Sequence, residues 1–156
     1  MAFKFERLQV WELSLEYLDL LYEIGSRLPA EERFNVRDQL IRSGTSTSLN
    51  VAEGSTGQTN PEQNRFLGIS LKSLIESIAC RRIIERRGWI KDQQLLSAAE
   101  DKGVLLARML QSMRRTLNSP KGTNLHCGCR IDTGQDAISS SNVHRLSSPL
   151  YRKEAQ

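Results

Sequence analysis

Gln39-Leu40-Ile41-Arg42-Ser43-Gly44-Thr45-Ser46-Thr47-Ser48-Leu49-Asn50-Val51-Ala52-Glu53-Gly54 is the segment around which the rest of the chain is organised. It contains no Pro and ends on Gly, where helices commonly stop in a left-handed turn. Wound as a helix, it sorts into two sides. Gln39, Arg42, Ser46, Asn50 and Glu53 form one narrow polar stripe. Leu40, Ile41, Gly44, Thr47, Ser48, Val51 and Ala52 fall roughly opposite. That side is small for a core face, so neighbouring helices can approach its backbone closely. Ser and Thr compete for backbone hydrogen bonds and weaken helix propensity. Tertiary packing has to supply the difference.

The flanking chain repeats the helical pattern. From about Glu6 to Leu28, Leu8, Trp11, Leu15, Leu18 and Tyr22 recur at spacings of three and four, as in an amphipathic helix. Val10, Leu13, Tyr17, Leu21, Ile24 and Leu28 make a second apolar set beside them. Pro29 ends this helix, and the central stretch is expected to span about Arg33 to Gly54. Ser55 to Asn60 reads as a loop, with Asn60 the expected N-cap and Pro61 the first helical residue. The third helix, about Pro61 to Arg87, shows two apolar sets. Leu67, Leu71, Leu74, Ile75 and Ile78 form one; Phe66, Ile69, Cys80, Ile83 and Ile84 form the other, roughly opposite. A helix apolar on both sides is buried on both sides, which predicts a self-associating bundle. Gly88 turns the chain into a fourth helix, about Asp92 to Leu117, carrying Leu95, Leu96, Ala99, Leu106, Leu110 and Met113 at helical spacing. The expectation is an all-α, up-down-up-down four-helix bundle over residues 1–118. Residues 119–156 are rich in Ser, Gly, Asn and Thr without a sustained period, and such a tail is expected to be disordered.

Composition excludes several functions. The chain has 156 residues and a net charge of +4. Residues 1–118 hold 17 Lys/Arg against 15 Asp/Glu, and residues 119–156 hold 5 against 3, so no tail binds polyanions by charge alone. No apolar run approaches the roughly 20 residues of a membrane helix, and Glu6, Glu12 and Glu16 interrupt any signal-like segment. A cytoplasmic protein is expected. Three cysteines make no disulfide framework. His126, Cys127, Cys129 and the more distant His144 lie in the tail, where nothing orients them into a metal knuckle. No phosphate-cradling glycine motif occurs, and neither cofactor nor metal is expected.

Two features remain for function. Arg81, Arg82, Arg86 and Arg87 crowd the end of the third helix; Arg108, Arg114 and Arg115 occupy the second half of the fourth. Guanidinium groups pair with phosphate oxygens in bidentate fashion. Cations near a helix C-terminus also complement its dipole, an ordinary structural role. In an antiparallel pair the two clusters sit at opposite ends. The polar stripe offers no base to activate Ser46, so it is expected to be structural, bonding across a subunit contact or capping loops. Tyr17, Tyr22 and both Trp fall at core spacing, away from any platform for stacked bases.

The residues Gln39-Leu-Ile-Arg42-Ser-Gly-Thr-Ser46 and Asn50-Val-Ala-Glu53-Gly54, with Phe5-Glu-Arg-Leu-Gln-Val-Trp11 and Arg65-Phe66-Leu67, resemble the 23S rRNA intervening-sequence (S23) family over residues 3–118. Thr47 stands where that family usually has an apolar residue, and Ser48 where it usually has Pro or Gly. The resemblance implies a four-helix bundle assembled as a homo-oligomer, a ring of five. It makes the stripe residues and Gly54 a structural family motif. It also points to the similar accessory variability determinants of diversity-generating retroelements, which bind nucleic acid beside a reverse transcriptase. The expected function is therefore a non-enzymatic oligomer that binds RNA or DNA or assists such an enzyme. The alternatives are a protein scaffold without nucleic-acid contact and, third, an enzyme.

Overall fold

The computed structural model describes residues 2–57 and 59–119. A 3-10 turn, Lys4–Arg7, leads into α1 (Gln9–Ser26); a second, Ala30–Glu32, precedes α2 (Val36–Thr56). Then follow α3 (Asn60–Arg87) and α4 (Gln93–Asn118). The all-α, four-helix fold is as the periodicity predicts. The tail from residue 120, including His126, Cys127, Cys129 and His144, lies outside the described residues. No helix among the described residues is long and apolar enough to cross a membrane.

Cross-helix bonds set the topology. Ser48 Oγ donates to Ser14 O at 3.4 Å, while Gly44 lies under Leu18 and Leu21 and Gly25 under Ile41. Between α2 and α3, Ser70 Oγ donates to Thr47 O at 2.8 Å and Ser46 Oγ meets Ser73 Oγ at 2.9 Å. Gln39 bonds Glu76 further along. Asn64 meets Asn118 and Arg81 meets Glu100 between α3 and α4; Glu16 meets Lys102 and Arg27 meets Asp92 between α1 and α4. In each pair, residue numbers rise on one helix as they fall on the other. All four seams are antiparallel, the up-down-up-down arrangement.

The boundaries differ from expectation for local reasons. The N-cap of α3 is Thr59, whose Oγ1 accepts from Glu62 N at 3.3 Å, not Asn60. Helix α2 runs two residues past Gly54, which is buried inside it. A Cβ there would stand 3.1 Å from Phe66 Cβ. Gly54 admits the start of α3 rather than ending α2. Gly88 does end α3, in the left-handed region at φ 67°. Asp92 caps α4, its Oδ1 accepting from Leu95 N at 3.1 Å. This bond, followed by the one from Arg27, holds the Asp92 carboxyl below its ordinary range.

The third helix corrects the expected facing. Leu67, Leu74, Cys80 and Ile84 are all buried in one core, whereas Ile75 is 57% exposed. The two apolar sets are largely the edges of a single inward face. Its centre is polar: Ser70, Ser77 and Arg81, all buried. What does face outward on α3 is Ile69, Ile75 and Ile83, at 37%, 57% and 50% exposure. The apolar surplus of α1 is mostly used within the chain, with Leu18 against Gly44 and Trp11 edge-on to Phe5 at 4.7 Å. Tyr22 is the exception, exposed rather than at a core position.

Candidate nucleic-acid interface

The four helices carry unequal charge. Helix α1 holds four carboxylates, Glu12, Glu16, Asp19 and Glu23, and no Lys or Arg. They recur at spacings of four, three and four, which places them on one side. Helices α3 and α4 together hold ten Lys/Arg against five Asp/Glu, a net +5. Being diagonal to α3, α1 turns its acidic side away from the basic one. The bundle is electrostatically two-sided.

The seven arginines singled out by the sequence separate into three situations. Arg81 is interior, 4% exposed. Its Nη1 donates to Glu85 Oε2 at 3.1 Å and its Nη2 to Glu100 Oε2, while Nε has no partner. Both charged forks are engaged, so in this chain Arg81 is a structural ion-pair residue. Arg82 donates to the same carboxylate, Glu100 Oε1, at 2.7 Å. Two guanidiniums hold the Glu100 carboxyl below its ordinary range, with the Arg82 hydrogen bond the first cause. Beside Arg81, the buried Tyr17 hydroxyl meets Ser77 Oγ at 2.9 Å across the bundle centre. Ser77 donates its own proton to Leu74 O at 2.8 Å, so the phenol donates to Ser77. Burial pushes the Tyr17 hydroxyl up to about 12.

Arg86 and Arg87 are exposed beyond this network, and Arg87 lies over the Trp89 ring at 5.9 Å. They form a small rim at the α3 C-terminus. Arg108, Arg114 and Arg115 gather at the far half of α4. Arg108 and Arg115 are exposed and make no ion pair among the described residues. Arg114 leans across α3, its Nε donating to Asn64 Oδ1 at 3.0 Å and its guanidinium lying over Gly68, where an added Cβ would stand 3.5 Å from Cζ.

Sequence reading missed two cations that the fold adds to this group. Arg65 and Lys72, both exposed and without an ion pair among the described residues, stand on the outer side of α3. Their signal was present: seven residues apart, they share a helix face. Along α4 no carboxylate follows Asp101, and Glu62 is alone on α3 before Glu76. Arg65, Lys72, Arg108, Arg114 and Arg115 thus add five cations to the two adjacent helices α3 and α4.

Within the chain the polar stripe is hydrogen-bonded. Arg42 Nη2 donates to Gln39 Oε1 at 2.9 Å and pairs with Asp38 at 3.7 Å; Gln39 reaches on to Glu76. Asn50 Nδ2 donates to Ser46 O at 2.7 Å and approaches Ser46 Oγ at 3.2 Å. Of the stripe's bonds, Gln39–Glu76 and Ser46–Ser73 tie α2 to α3 and the others lie within α2, while Glu53 is exposed. Beside the stripe a shallow groove of about 410 Å³ runs past Asp38, Ile41, Thr45 and the exposed Leu49.

Comparisons with known proteins agree with this architecture. No curated protein matches the chain. A crystal structure of a protein of unknown function from the S23 ribosomal protein family of Bacteroides thetaiotaomicron is similar, with TM-score 0.62 and 23% identity. The similarity covers 68% of this chain and 98% of that one, and it shows the fold. The family model of the 23S rRNA-intervening sequence protein matches residues 6–112. A four-helix bundle with the Gln39–Gly54 motif as its α2–α3 seam, this chain belongs to the 23S rRNA-intervening sequence protein family.

Proposed function

We propose that the protein is a non-enzymatic, self-associating nucleic-acid-binding protein, acting through the outer face of α3 and α4. One observation carries this reading: Arg65, Lys72, Arg108, Arg114 and Arg115 stand on the adjacent helices α3 and α4, and none makes an ion pair among the described residues. Unpaired guanidiniums and ammoniums gathered on one side set up the field that attracts a polyanion. A ring of five, as the sequence resemblance implies, would repeat each weak site and raise the effective concentration. An accessory role beside a reverse transcriptase is the form this function takes if the retroelement likeness extends to partners. Ser46, the hydroxyl most exposed to comparison with a nucleophile, is occupied by Ser73 and Asn50.

The test is retention of mixed-sequence nucleic acid by the immobilised full chain at low salt, with light scattering for the assembly. A mass several times 17.7 kDa and salt-sensitive retention are expected. A soluble monomer that retains neither RNA nor DNA rejects the proposal. The scaffold alternative rests on a different surface, around Tyr22, Phe34 and Leu49 beside α2, all of them exposed. It gains if the oligomer forms but retains no nucleic acid.

A further inference from the structure

Resting on that reading, we infer that the ligand of the α3–α4 face is a nucleic-acid duplex, held by both of its phosphate backbones. The cations stand in two rows. Arg65 and Lys72 occupy α3, Arg108 and Arg115 occupy α4, and each pair is seven residues apart. Seven residues are about 10 Å of helix. The contacts Asn64–Asn118 and Arg114 over Gly68 bring Arg115 level with the Arg65 end of α3. Glu100 against Arg81 and Arg82, and Gly103 under Ile78, bring Arg108 level with the region just beyond Lys72. The rows therefore match as two rungs.

Packed helix axes lie about 8–10 Å apart, and outward side chains on a bundle diverge, so the row tips are wider than that. The grooves of a duplex, about 6 and 12 Å wide, carry phosphates along both edges. Two rows spaced in this way meet two strands at once. A single strand offers one backbone and would satisfy one row.

The second observation is the lack of a stacking surface. Single-strand binders combine a basic groove with aromatic rings on which bases stack. Residues 60–118 contain two aromatics, Phe66 and Trp89, and neither is exposed. Among the described residues the exposed rings, Phe3, Tyr22 and Phe34, all precede α2. Base-edge reading is also poorly served. Asn64, the amide nearest the rows, already accepts from Arg114 and donates to Asn118. Phosphate contacts position a ligand without specifying its sequence, so the site takes a duplex by shape and charge.

Fluorescence anisotropy of the full chain tests this with three labelled probes: a short DNA duplex, an RNA duplex, and one strand alone of a sequence that cannot self-pair. Either duplex should bind about tenfold more tightly than the strand at equal salt. The two duplex arms show whether A-form or B-form geometry is preferred. Arg108→Gln with Arg115→Gln should lessen the salt slope for B-form DNA by about 1.8, from 0.9 for each lost phosphate contact. Arg65→Gln with Lys72→Gln should do the same. These four residues are exposed, and unchanged circular dichroism melts confirm that each variant folds. Equal or tighter binding of the single strand overturns the duplex inference and leaves nucleic-acid binding standing. So does a salt slope that only one row controls. Failure of all three probes to bind overturns the functional proposal itself.

Discussion

The α1–α2 seam and the α3–α4 seam are built by opposite means. Between α1 and α2 the closeness comes from small residues. A Cβ on Gly44 would stand 2.5 Å from Leu21 Cδ1 and 3.0 Å from Leu18 Cδ1, and Ser48 bonds the backbone at Ser14. Between α3 and α4 the joint is charged: Glu100 holds Arg81 and Arg82, and Arg114 lies across Gly68. A seam of small residues packs out solvent and leaves nothing to offer a ligand. A seam joined by arginine fixes some cations inside and leaves their neighbours outside, unneutralised. The charged half is thus where the proposed polyanion would be met.

Substitutions that exchange these two logics should be felt in order of how much each seam lacks room to adjust. Gly44→Leu should be the most damaging, costing about 3 kcal/mol or more, the upper part of the usual overpacking range. Leu21, the side chain it would displace, is itself fully buried. Urea unfolding measures this, and a loss below that of Asn50→Ala would mean that the helices slide apart freely at Gly44.

At the charged seam, Glu100→Gln should cost about 3 kcal/mol, because it leaves Arg81 buried with only the more exposed Glu85 to balance it. Arg81→Met removes the buried cation and leaves the less buried Glu100 still bonded by Arg82, so it should cost less than Glu100→Gln. If Arg81→Met proves as harmful as Glu100→Gln, the ion network itself stabilises the fold beyond its volume.

Tyr17 joins the two halves and gives the comparison a pH axis. Its hydroxyl is raised by burial to about 12 from an ordinary 10.0. A raised folded value means that the protein stabilises the protonated form. This stability is complete below pH 10 and is lost as pH rises from about 10 to about 12. The loss is on the order of 2–3 kcal/mol for a shift of this size. Tyr17→Phe should flatten that alkaline fall in thermal melts; an unchanged fall assigns it to another group.

The smallest effect is expected at the polar stripe. Asn50→Ala removes a half-buried bond to Ser46 on the same helix and should cost about 1 kcal/mol. A cost rivalling that of Gly44→Leu would make the α2–α3 stripe as unyielding as the small-residue seam.

Legibility in the sequence followed the physics of each feature. The helices were legible because apolar residues recur at the helical period, and the start of α4 because Asp92 is a capping residue. The small face of α2 was legible in Gly44, Thr47 and Ser48. The centre of the α3 face was not. Ser70, Ser77 and Arg81 are polar types that carry no apolar signal, so the periodicity set Leu67 and Leu74 on a different side from Cys80 and Ile84. Of the basic surface, Arg108, Arg114 and Arg115 stood out as a local crowd, whereas Arg65 and Lys72 are single charges in sequence.

By itself the sequence determined the number of helices, their approximate ends, and the close approach at Gly44. These depend on local periodicity, capping chemistry and side-chain size. Only the tertiary structure decided which arginines are inside. That choice depends on whether a carboxylate from another helix arrives within hydrogen-bonding reach, as Glu100 does for Arg81 across 19 residues of chain. It also decided that Arg65 and Lys72 join Arg108 and Arg115, because antiparallel packing brings together charges that the sequence keeps apart.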